Sequence, residues 1–351
     1  MANRFSSRPD KERIFAALSA LYESILTHPG KNGPLVHLES IGQQKIIILS
    51  DQHKGAKDDA DDFAFAEKNY LAALDYYFQQ HYYYINLGDS EELWENSLQQ
   101  VKKHNKASFA KERLFLEQKR FSKIFGNHDL YWGNDPFASL QLESIYQQKI
   151  PIYEGAVIET NINGKTLRIF LTHGHQGDLQ SDGNWFSKWF VAMVWAPLQG
   201  YLRLNPNTPA YDIELKTEHN KLMYEWSSEQ QQLLLITGHT HQPVFESLTH
   251  LERLYKALSI ARQSGDATAT QAIERTITVR LKEGDALPDF SAVKPGYFNS
   301  GCCCFNDGDI TGIEIADGMI RLIKWEYDQD QSVRKVLEEE SLEKLVEIIG
   351  E

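Results

Sequence analysis

Five short apolar runs constrain this chain most, because each of them leads directly into polar side chains that can bind a metal ion. The runs span residues 45–49, 82–87, 121–125, 166–172 and 233–237. Short apolar runs that alternate with longer helical patterns indicate an α/β fold with helices on the faces of a sheet. Ligands of an open α/β sheet bind outside the carboxyl ends of its strands, so we expect the five polar clusters to meet in one crevice.

Helical spacing predicts three further elements. Near the N-terminus, Ile14, Leu18, Leu21 and Ile25 recur at the spacing of an amphipathic helix. A helix over residues 63–80 is expected to cross back between the first two strands, as parallel pairing requires. At the acidic C-terminus, a set of apolar residues suggests another amphipathic helix: Val333, Val336, Leu337, Leu342, Leu345 and Val346.

Composition narrows the partners and the compartment. The formal net charge of −13 argues against general nucleic-acid binding, which depends on clustered Lys and Arg. No segment reaches the roughly 18 uncharged apolar residues that a membrane span needs. Cys302, Cys303 and Cys304 are adjacent and cannot supply the spacing of a disulfide framework or a zinc knuckle, which indicates a reducing, cytoplasmic compartment. We expect them in a strand as small buried residues, without metal or redox chemistry.

The polar clusters supply the ligands for two metal ions. Seven side chains are candidates: Asp51, His53, Asp89, Asn127, His173, His239 and His241. Imidazole and carboxylate ligands without thiolates suit Mn, Fe or Zn, and two such ions can clamp the attacking and leaving oxygens of a phosphoryl group. If Asp89 bridges, each ion receives four protein ligands. Two dications outweigh the Asp51 and Asp89 carboxylates, so this centre would attract an anionic phosphate even in an acidic protein.

The order of the polar clusters resembles the signature of the calcineurin-like metallophosphoesterase superfamily. The matching blocks are Asp51-x-His53, Gly88-Asp89, Gly126-Asn127-His128-Asp129, His173 and Gly238-His239-x-His241. Five blocks in family-like order are a specific signal, whereas any single block would be weak. The similarity covers roughly residues 45–245 and a closing stretch at 297–325. It implies a four-layer α/β/β/α sandwich with helical insertions.

The resemblance also implies a role for each of these residues. One ion would be held by Asp51, His53, Asp89 and His241, and the other by Asp89, Asn127, His173 and His239. His128 would be the general acid for the leaving oxygen, with Asp129 orienting it, while a hydroxide bridging the ions attacks phosphorus. The structural alternative for His128 is that it only supports Asn127.

These observations predict a binuclear metal-dependent hydrolase of phosphomonoesters or phosphodiesters. We expect two divalent ions, with Mn favoured over Fe or Zn, and a small-molecule phosphoester as the substrate. The chain is expected to divide into an N-terminal helical extension at 1–43, a catalytic domain at 44–327 and an acidic C-terminal helix at 328–351. Insertions at about 176–230 and 245–295 would interrupt the catalytic domain, and the first would form a lid over the site.

Two alternative functions stay open. Gly88-Asp89-x-x-Glu92-x-Trp94 is similar to a block of the UDP-diacylglucosamine pyrophosphohydrolases, and the aromatic-rich interval before the fifth block could grip acyl chains. The same aromatic residues could instead pack the insertion onto the domain, and Lys54 and His175 depart from that branch. Apart from the place of Glu92 in this block, the Glu91-Glu92 pair is expected at the solvated surface. The other alternative is a non-catalytic metal-binding scaffold that holds a protein partner.

Overall fold

Two β-sheets form the framework of the computed structural model, which describes residues 9–58, 61–177, 209–249, 254, 258, 261–262, 266–283 and 294–350. The strands are β1 Leu35–Leu38, β2 Ile46–Leu49, β3 Tyr83–Leu87, β4 Phe121–Ile124, β5 Ile152–Tyr153, β6 Gly155–Ile162, β7 Lys165–Thr172, β8 Leu233–Thr237, β9 Val244–Phe245, β10 Leu248–Thr249, β11 Tyr297–Asn299, β12 Ile310–Ala316, β13 Met319–Asp328 and β14 Gln331–Ser341. The helices are α1 Lys11–Thr27, α2 Phe63–Gln79, α3 Leu98–His104, α4 Lys106–Glu117, α5 Tyr131–Asn134, α6 Ala138–Tyr146, α7 Pro209–Ser228, α8 Ala267–Glu283 and α9 Leu342–Ile349, with a short 3-10 turn at Ile41–Gln43.

The two sheets place the ends of their parallel strands at one edge. The first sheet has the order β1-β6-β7-β8-β11-β9-β10, and β7, β8 and β11 run parallel to one another. The second has the order β14-β13-β12-β2-β3-β4-β5, and β2 to β5 run parallel. Helix α2 lies between β2 and β3 in the chain, as the crossover predicted.

Three apolar layers hold four layers of secondary structure together. Helices α1 and α7 pack on the outer face of the first sheet through residues such as Leu18 and Trp226. Helices α2, α4 and α6 pack on the outer face of the second sheet through residues such as Tyr70 and Phe115. Between the sheets lies a layer rich in Ile and Leu. The predicted four-layer α/β/β/α sandwich is therefore confirmed.

Strand β2 shows why its sequence is continuously apolar. Ile46 and Ile48 face the layer between the sheets, whereas Ile47 and Leu49 face the helices. Side chains alternate along a strand, so a strand that is covered on both faces needs apolar residues at every position. The chain then turns polar at Ser50 and Asp51, where it leaves the sheet at the edge of the core.

Two expectations about secondary structure need correction. The five predicted strands do not share one sheet: β2, β3 and β4 belong to the second sheet, and β7 and β8 to the first. The predicted C-terminal helix forms only at Leu342–Ile349, because Gln331–Ser341 is a strand paired with β13. The connecting residues Gln329 and Asp330 both have positive φ angles (44° and 64°), which suit a two-residue hairpin turn.

Other predicted segments are described only in part. Helix α1 is present, and its predicted apolar residues Ile14, Leu18, Leu21 and Ile25 are buried. Much of the expected lid, residues 178–208 with most of its aromatic side chains, lies outside the described residues, as does 284–293 of the other insertion. The division into domains therefore stays a prediction. Among the described helices, none has both the length and the apolar character to cross a membrane.

Candidate metal centre

The candidate ligands follow their strands with strained backbone angles. Positive φ angles occur at Asp51 (53°), His53 (48°), Asp89 (48°), His239 (70°) and His241 (57°). Residues other than glycine rarely adopt this left-handed region, and each such residue costs on the order of 1–3 kcal/mol, which interactions with the surrounding structure must offset. Such strain often marks a functional site, and here it coincides with predicted ligands.

Two glycines allow the ligand loops to approach one another. A Cβ atom on Gly126 would lie 2.2 Å from Oδ1 of Asp89, and one on Gly88 would lie 2.6 Å from Nδ1 of His173. Gly88 also has a φ of 94°, in a region that favours glycine. The glycines that precede Asp89 and Asn127 are thus required by the close packing of the site.

One half of the centre combines Asp51, His53 and His241. Nε2 of His53 lies 3.1 Å from Nε2 of His241, which in turn lies 3.2 Å from Oδ1 of Asp51. Nε2 of His53 also lies 3.7 Å from Oδ2 of Asp89, so the first half reaches the carboxylate that was predicted to bridge. The backbone N–H of His239 donates to Asp51 at 3.1 Å and ties the fifth block to the first.

The other half combines Asp89, Asn127, His173 and His239. Nε2 of His173 lies 3.1 Å from Oδ2 of Asp89, and ligand atoms of Asp89, His173 and His239 all lie within 4.8 Å of one another. Oδ1 of Asn127 is buried and accepts no hydrogen bond from the described residues. Burial and the imidazoles of His219 and His173 hold the pKa of His239 well below its ordinary value, so this ring is neutral.

Hydrogen bonds fix which ring nitrogens point into the centre. Nδ1 of His173 lies 2.9 Å from the backbone oxygen of Leu87, and Nδ1 of His53 lies 2.8 Å from Oε2 of Glu92. Each Nδ1 must donate to its oxygen acceptor, so a neutral ring presents the lone pair of Nε2 to the Asp51 and Asp89 carboxylates. Lone pairs and carboxylate oxygens repel one another unless a cation lies among them. The donor set therefore fits divalent metal ions.

The electrostatics of the centre lead to the same conclusion. Burial opposes the ionisation of Asp51, but His173 and His241 hold its pKa below the ordinary range. Burial alone would lower the pKa of His173, yet Asp89 and Asp51 raise it to about 9. The pKa of His241 is also raised to about 9 against the effect of burial, by Asp51 and Cys302. Cations are strongly favoured here, and protons would compete with metal ions for the same atoms.

His128 lies at the rim of the centre beside Glu92 and Trp94. Its Nδ1 is 2.7 Å from Oε2 of Glu92, the same atom that contacts Nδ1 of His53. The indole ring of Trp94 stacks on the imidazole at 3.9 Å with an interplanar angle of 20°. Burial raises the pKa of Glu92, but His128 and His53 reverse this effect and lower it to about 2. Glu92 is therefore an anion that contacts both rings.

Asp129 occupies a different place from the one expected. Its Oδ1 accepts a hydrogen bond from the backbone N–H of Gly126 at 2.6 Å, and its Oδ2 accepts one from Ser90 at 2.9 Å. Within the described part of the chain, no hydrogen bond joins Asp129 to the His128 ring. We therefore correct the expected orienting role: Glu92 is the carboxylate at His128, and Asp129 fastens the two loops that carry Asp89 and Asn127.

Behind the Asp89 loop lies a cluster of four buried charges, formed by Lys54, Glu91, Glu112 and Lys123. Nζ of Lys54 lies 2.7 Å from Glu112 and 3.4 Å from Glu91, and Nζ of Lys123 lies 2.9 Å from Glu91. The indole N–H of Trp132 also donates to Glu91, at 2.7 Å. Glu91 thus lies in the core, contrary to the expected surface position.

Sequence reasoning missed Glu92 as a site residue and missed His219. The signal for Glu92 was its place in the Asp89 loop, three residues after that ligand. His219 gave no local signal because it lies on α7, where Nε2 lies 2.7 Å from the backbone oxygen of Gly174 and the ring lies 5.1 Å from that of His239. His175, two residues after the proposed ligand His173, is buried with its ring 5.5 Å from that of His173.

Comparisons with known proteins identify one family. The family model described as calcineurin-like phosphoesterase matches residues 44–243. Among curated proteins, none matches the chain. Two similar solved structures are vacuolar protein sorting 29 from Cryptosporidium parvum (13% identity, TM-score 0.32, 85% of this chain and 98% of that chain) and Vps29 from Entamoeba histolytica (12% identity, TM-score 0.31, 84% of this chain and 100% of that chain). Likeness at this level carries no argument about activity.

Proposed function

Because the chain belongs to the calcineurin-like phosphoesterase family, we propose that it hydrolyses phosphomonoesters or phosphodiesters with two divalent metal ions. One observation carries the proposal: imidazole nitrogens and carboxylate oxygens from five loops converge, and no described Lys or Arg side chain contacts the Asp51 or Asp89 carboxylate. Family membership supports metal-dependent phosphoester hydrolysis in general, and the two-ion centre is the specific step that we add. Manganese is the metal that we favour.

The proposed ligand sets follow the two halves of the centre. The first ion would be held by Asp51, His53, Asp89 and His241, and the second by Asp89, Asn127, His173 and His239. Support for the shared role of Asp89 comes from its Oδ2, which lies 3.1 Å from His173 and 3.7 Å from His53. When bound, the two ions supply Lewis-acid polarisation of the phosphoryl group and neutralise its charge.

We assign the proton for the leaving oxygen to His128. Its Nδ1 faces Glu92, so Nε2 is the ring atom available to a substrate, and the side chain remains 25% exposed. Trp94 stacks on one face of the ring and limits its rotation. A proton held on Nε2 would pass to the leaving oxygen as the phosphorus–oxygen bond breaks. Asp129 would contribute indirectly, by fixing the two ligand loops.

The test is a panel of substrates with the purified, metal-reconstituted protein. Aryl phosphomonoesters, linear and cyclic diesters, and a nucleotide pyrophosphate linked to an acylated sugar would be assayed with Mn²⁺, Fe²⁺ or Zn²⁺. We expect turnover of at least one class that chelator abolishes and that Asp89→Asn abolishes as well. Preference for the acylated substrate would support the pyrophosphohydrolase alternative, which otherwise depends on the residue 88–94 block and on the aromatic-rich interval of the sequence.

Binding of two ions without turnover of any compound would contradict the proposal and favour the metal-binding scaffold.

We also propose a cytoplasmic location, on the ground that all three cysteines are free. Expression with a compartment-specific label would test it, and a secreted or membrane-bound protein would contradict it.

A further inference from the structure

The loop after β11 brings cysteine residues to the metal centre. Cys302, Cys303 and Cys304 follow the strand rather than lying within it, which corrects the expected position. Strand β11 runs parallel to β8, so its carboxyl end meets the same edge as His239 and His241. The backbone N–H of Cys303 donates to the backbone oxygen of Asp51 at 3.1 Å, and the backbone N–H of Thr311 donates to the backbone oxygen of Cys302 at 3.0 Å. The loop is thus fastened to a ligand residue and to β12.

Cys303 and Cys304 point to different surroundings. Sγ of Cys303 lies 3.8 Å from the backbone oxygen of Thr311, and the residue belongs to the core between the second sheet and its helices. Sγ of Cys304 instead lies 3.8 Å from Nδ1 of His241. Ligand atoms of Cys304, His53 and His241 all lie within 4.8 Å of one another. Of these two neighbouring thiols, Cys304 therefore faces the centre, whereas Cys303 provides a matched control.

The orientation of His241 determines what the Cys304 sulfur can do. Nε2 of His241 faces Asp51 and His53, so an ion in this half of the centre would use that nitrogen. Nδ1 must then carry the proton of the neutral ring. A histidine that binds a metal almost always donates its other N–H to a carboxylate, a backbone carbonyl or water, which fixes the ring orientation. At His241, Sγ of Cys304 is the side-chain atom that lies 3.8 Å from Nδ1, and the neighbouring Cys302 thiol also interacts with this imidazole.

We propose that Cys304 is a positioning residue for His241. The Nδ1–H of His241 donates a hydrogen bond to the Cys304 sulfur, and this contact sets the affinity of the ion held with Asp51 and His53. This inference rests on the proposed two-ion centre. Sulfur is a weak acceptor but a large atom, so it fills the space at 3.8 Å that a hydroxyl oxygen on the same Cβ would leave partly open. Cys304→Ala removes the contact, and Cys304→Ser retains a smaller acceptor.

Metal binding, rather than turnover, provides the test. Calorimetric titration of the metal-free protein with Mn²⁺ would give the dissociation constants of both sites for the wild type, Cys304→Ala, Cys304→Ser and Cys303→Ala. We expect Cys304→Ala to weaken one of the two sites about 10–100-fold, the usual effect of losing such a partner. Cys304→Ser should fall between alanine and the wild type. Cys303→Ala should leave both constants unchanged, even if its thermal stability falls.

Unchanged affinities in Cys304→Ala would overturn the proposal, and so would equal weakening in Cys303→Ala. If Cys304→Ala does not fold, the comparison of Cys304→Ser with Cys303→Ala decides by the same criterion. Absorption of the Co²⁺-loaded wild type provides a second readout: a sulfur-to-cobalt charge-transfer band would show that Cys304 binds the ion directly and would overturn the positioning role. Failure of the wild type to bind two ions would instead refute the proposed centre.

Discussion

Replacing Glu92 with glutamine would remove a carboxylate that contacts the imidazole rings of both a proposed metal ligand and the proposed general acid. Its Oε2 lies 2.8 Å from His53 and 2.7 Å from His128, and its side chain is only 12% exposed. Glutamine has nearly the same shape but carries no charge, so its carbonyl oxygen would be a weaker acceptor for the Nδ1–H of His53 and a weaker electrostatic partner for the His128 ring.

The size of the effect follows from these contacts. A hydrogen bond to a charged group contributes about 1.5–3 kcal/mol, which corresponds to roughly 10–100-fold in rate if it is lost in the transition state. We therefore expect Glu92→Gln to lower kcat/KM about 10–100-fold for a phosphate ester with a poor alkyl leaving group. The loss should be smaller for a nitrophenyl ester, because its leaving oxygen needs little protonation.

Steady-state kinetics over a series of leaving groups would measure this, with His128→Ala as the upper limit. Glu95→Gln is the matched control, since Glu95 is exposed in the same loop and has no hydrogen bond to either ring among the described contacts. Equal losses for good and poor leaving groups would refute the link to proton transfer. Full activity in Glu92→Gln would refute the whole argument. The metal content of each variant must also be measured, because loss of the His53 contact would affect metal binding, whereas loss of the His128 contact would affect proton transfer.

Three further results are expected. Asp89→Asn should lower the occupancy of both ions, whereas the loaded wild type should show two ions roughly 3.5–4 Å apart by elemental analysis and anomalous scattering; a single ion at full loading would count against a shared ligand. Gly126→Ala should abolish metal binding and lower the melting temperature, because its Cβ would lie 2.2 Å from Asp89 Oδ1, and normal metal titration would contradict this. The metal-free protein should lose stability as the pH rises from 6.5 to about 9, because folding raises the pKa of His173 from 6.5 to about 9. Protonated His173 therefore stabilises the native state at low pH by at most about 3 kcal/mol, and this contribution is lost as the ring loses its proton. Thermal melts in chelator would show this fall, and metal-loaded protein should lack it; a flat profile without metal would be inconsistent with it.

Much of the site could be predicted because its residues adjoin regular elements. Apolar strands that end directly in Asp51, Asp89 and His173 reveal both the strand and its functional end. The division into two sheets could not be predicted from these runs, because strands that are buried on both faces look alike in either sheet. The resemblance to a known family provided that step.

The remaining errors arose where local patterns allow two structures. Val333, Val336 and Leu337 fit a helical spacing, yet the turn at Gln329 and Asp330 folds this segment back onto β13, and this pair lacks the usual turn glycine. Glu91 resembles a surface residue in sequence, and only the distant Lys54 and Lys123 explain its burial. Cys304 gave no signal because its partner, His241, lies in another loop.

The four buried charges behind Asp89 restrict how this protein can change in evolution. Lys54, Glu91, Glu112 and Lys123 balance one another, so the loss of any one leaves a buried charge unpaired and would destabilise the fold by about 3–5 kcal/mol. That is a large part of the stability of an ordinary domain. A well-packed apolar set in all four positions could be tolerated, although each single step toward it would not be. Viable descendants should therefore keep this quartet whole or replace it together, and the four positions should co-vary although they are separated by up to 69 positions in the chain.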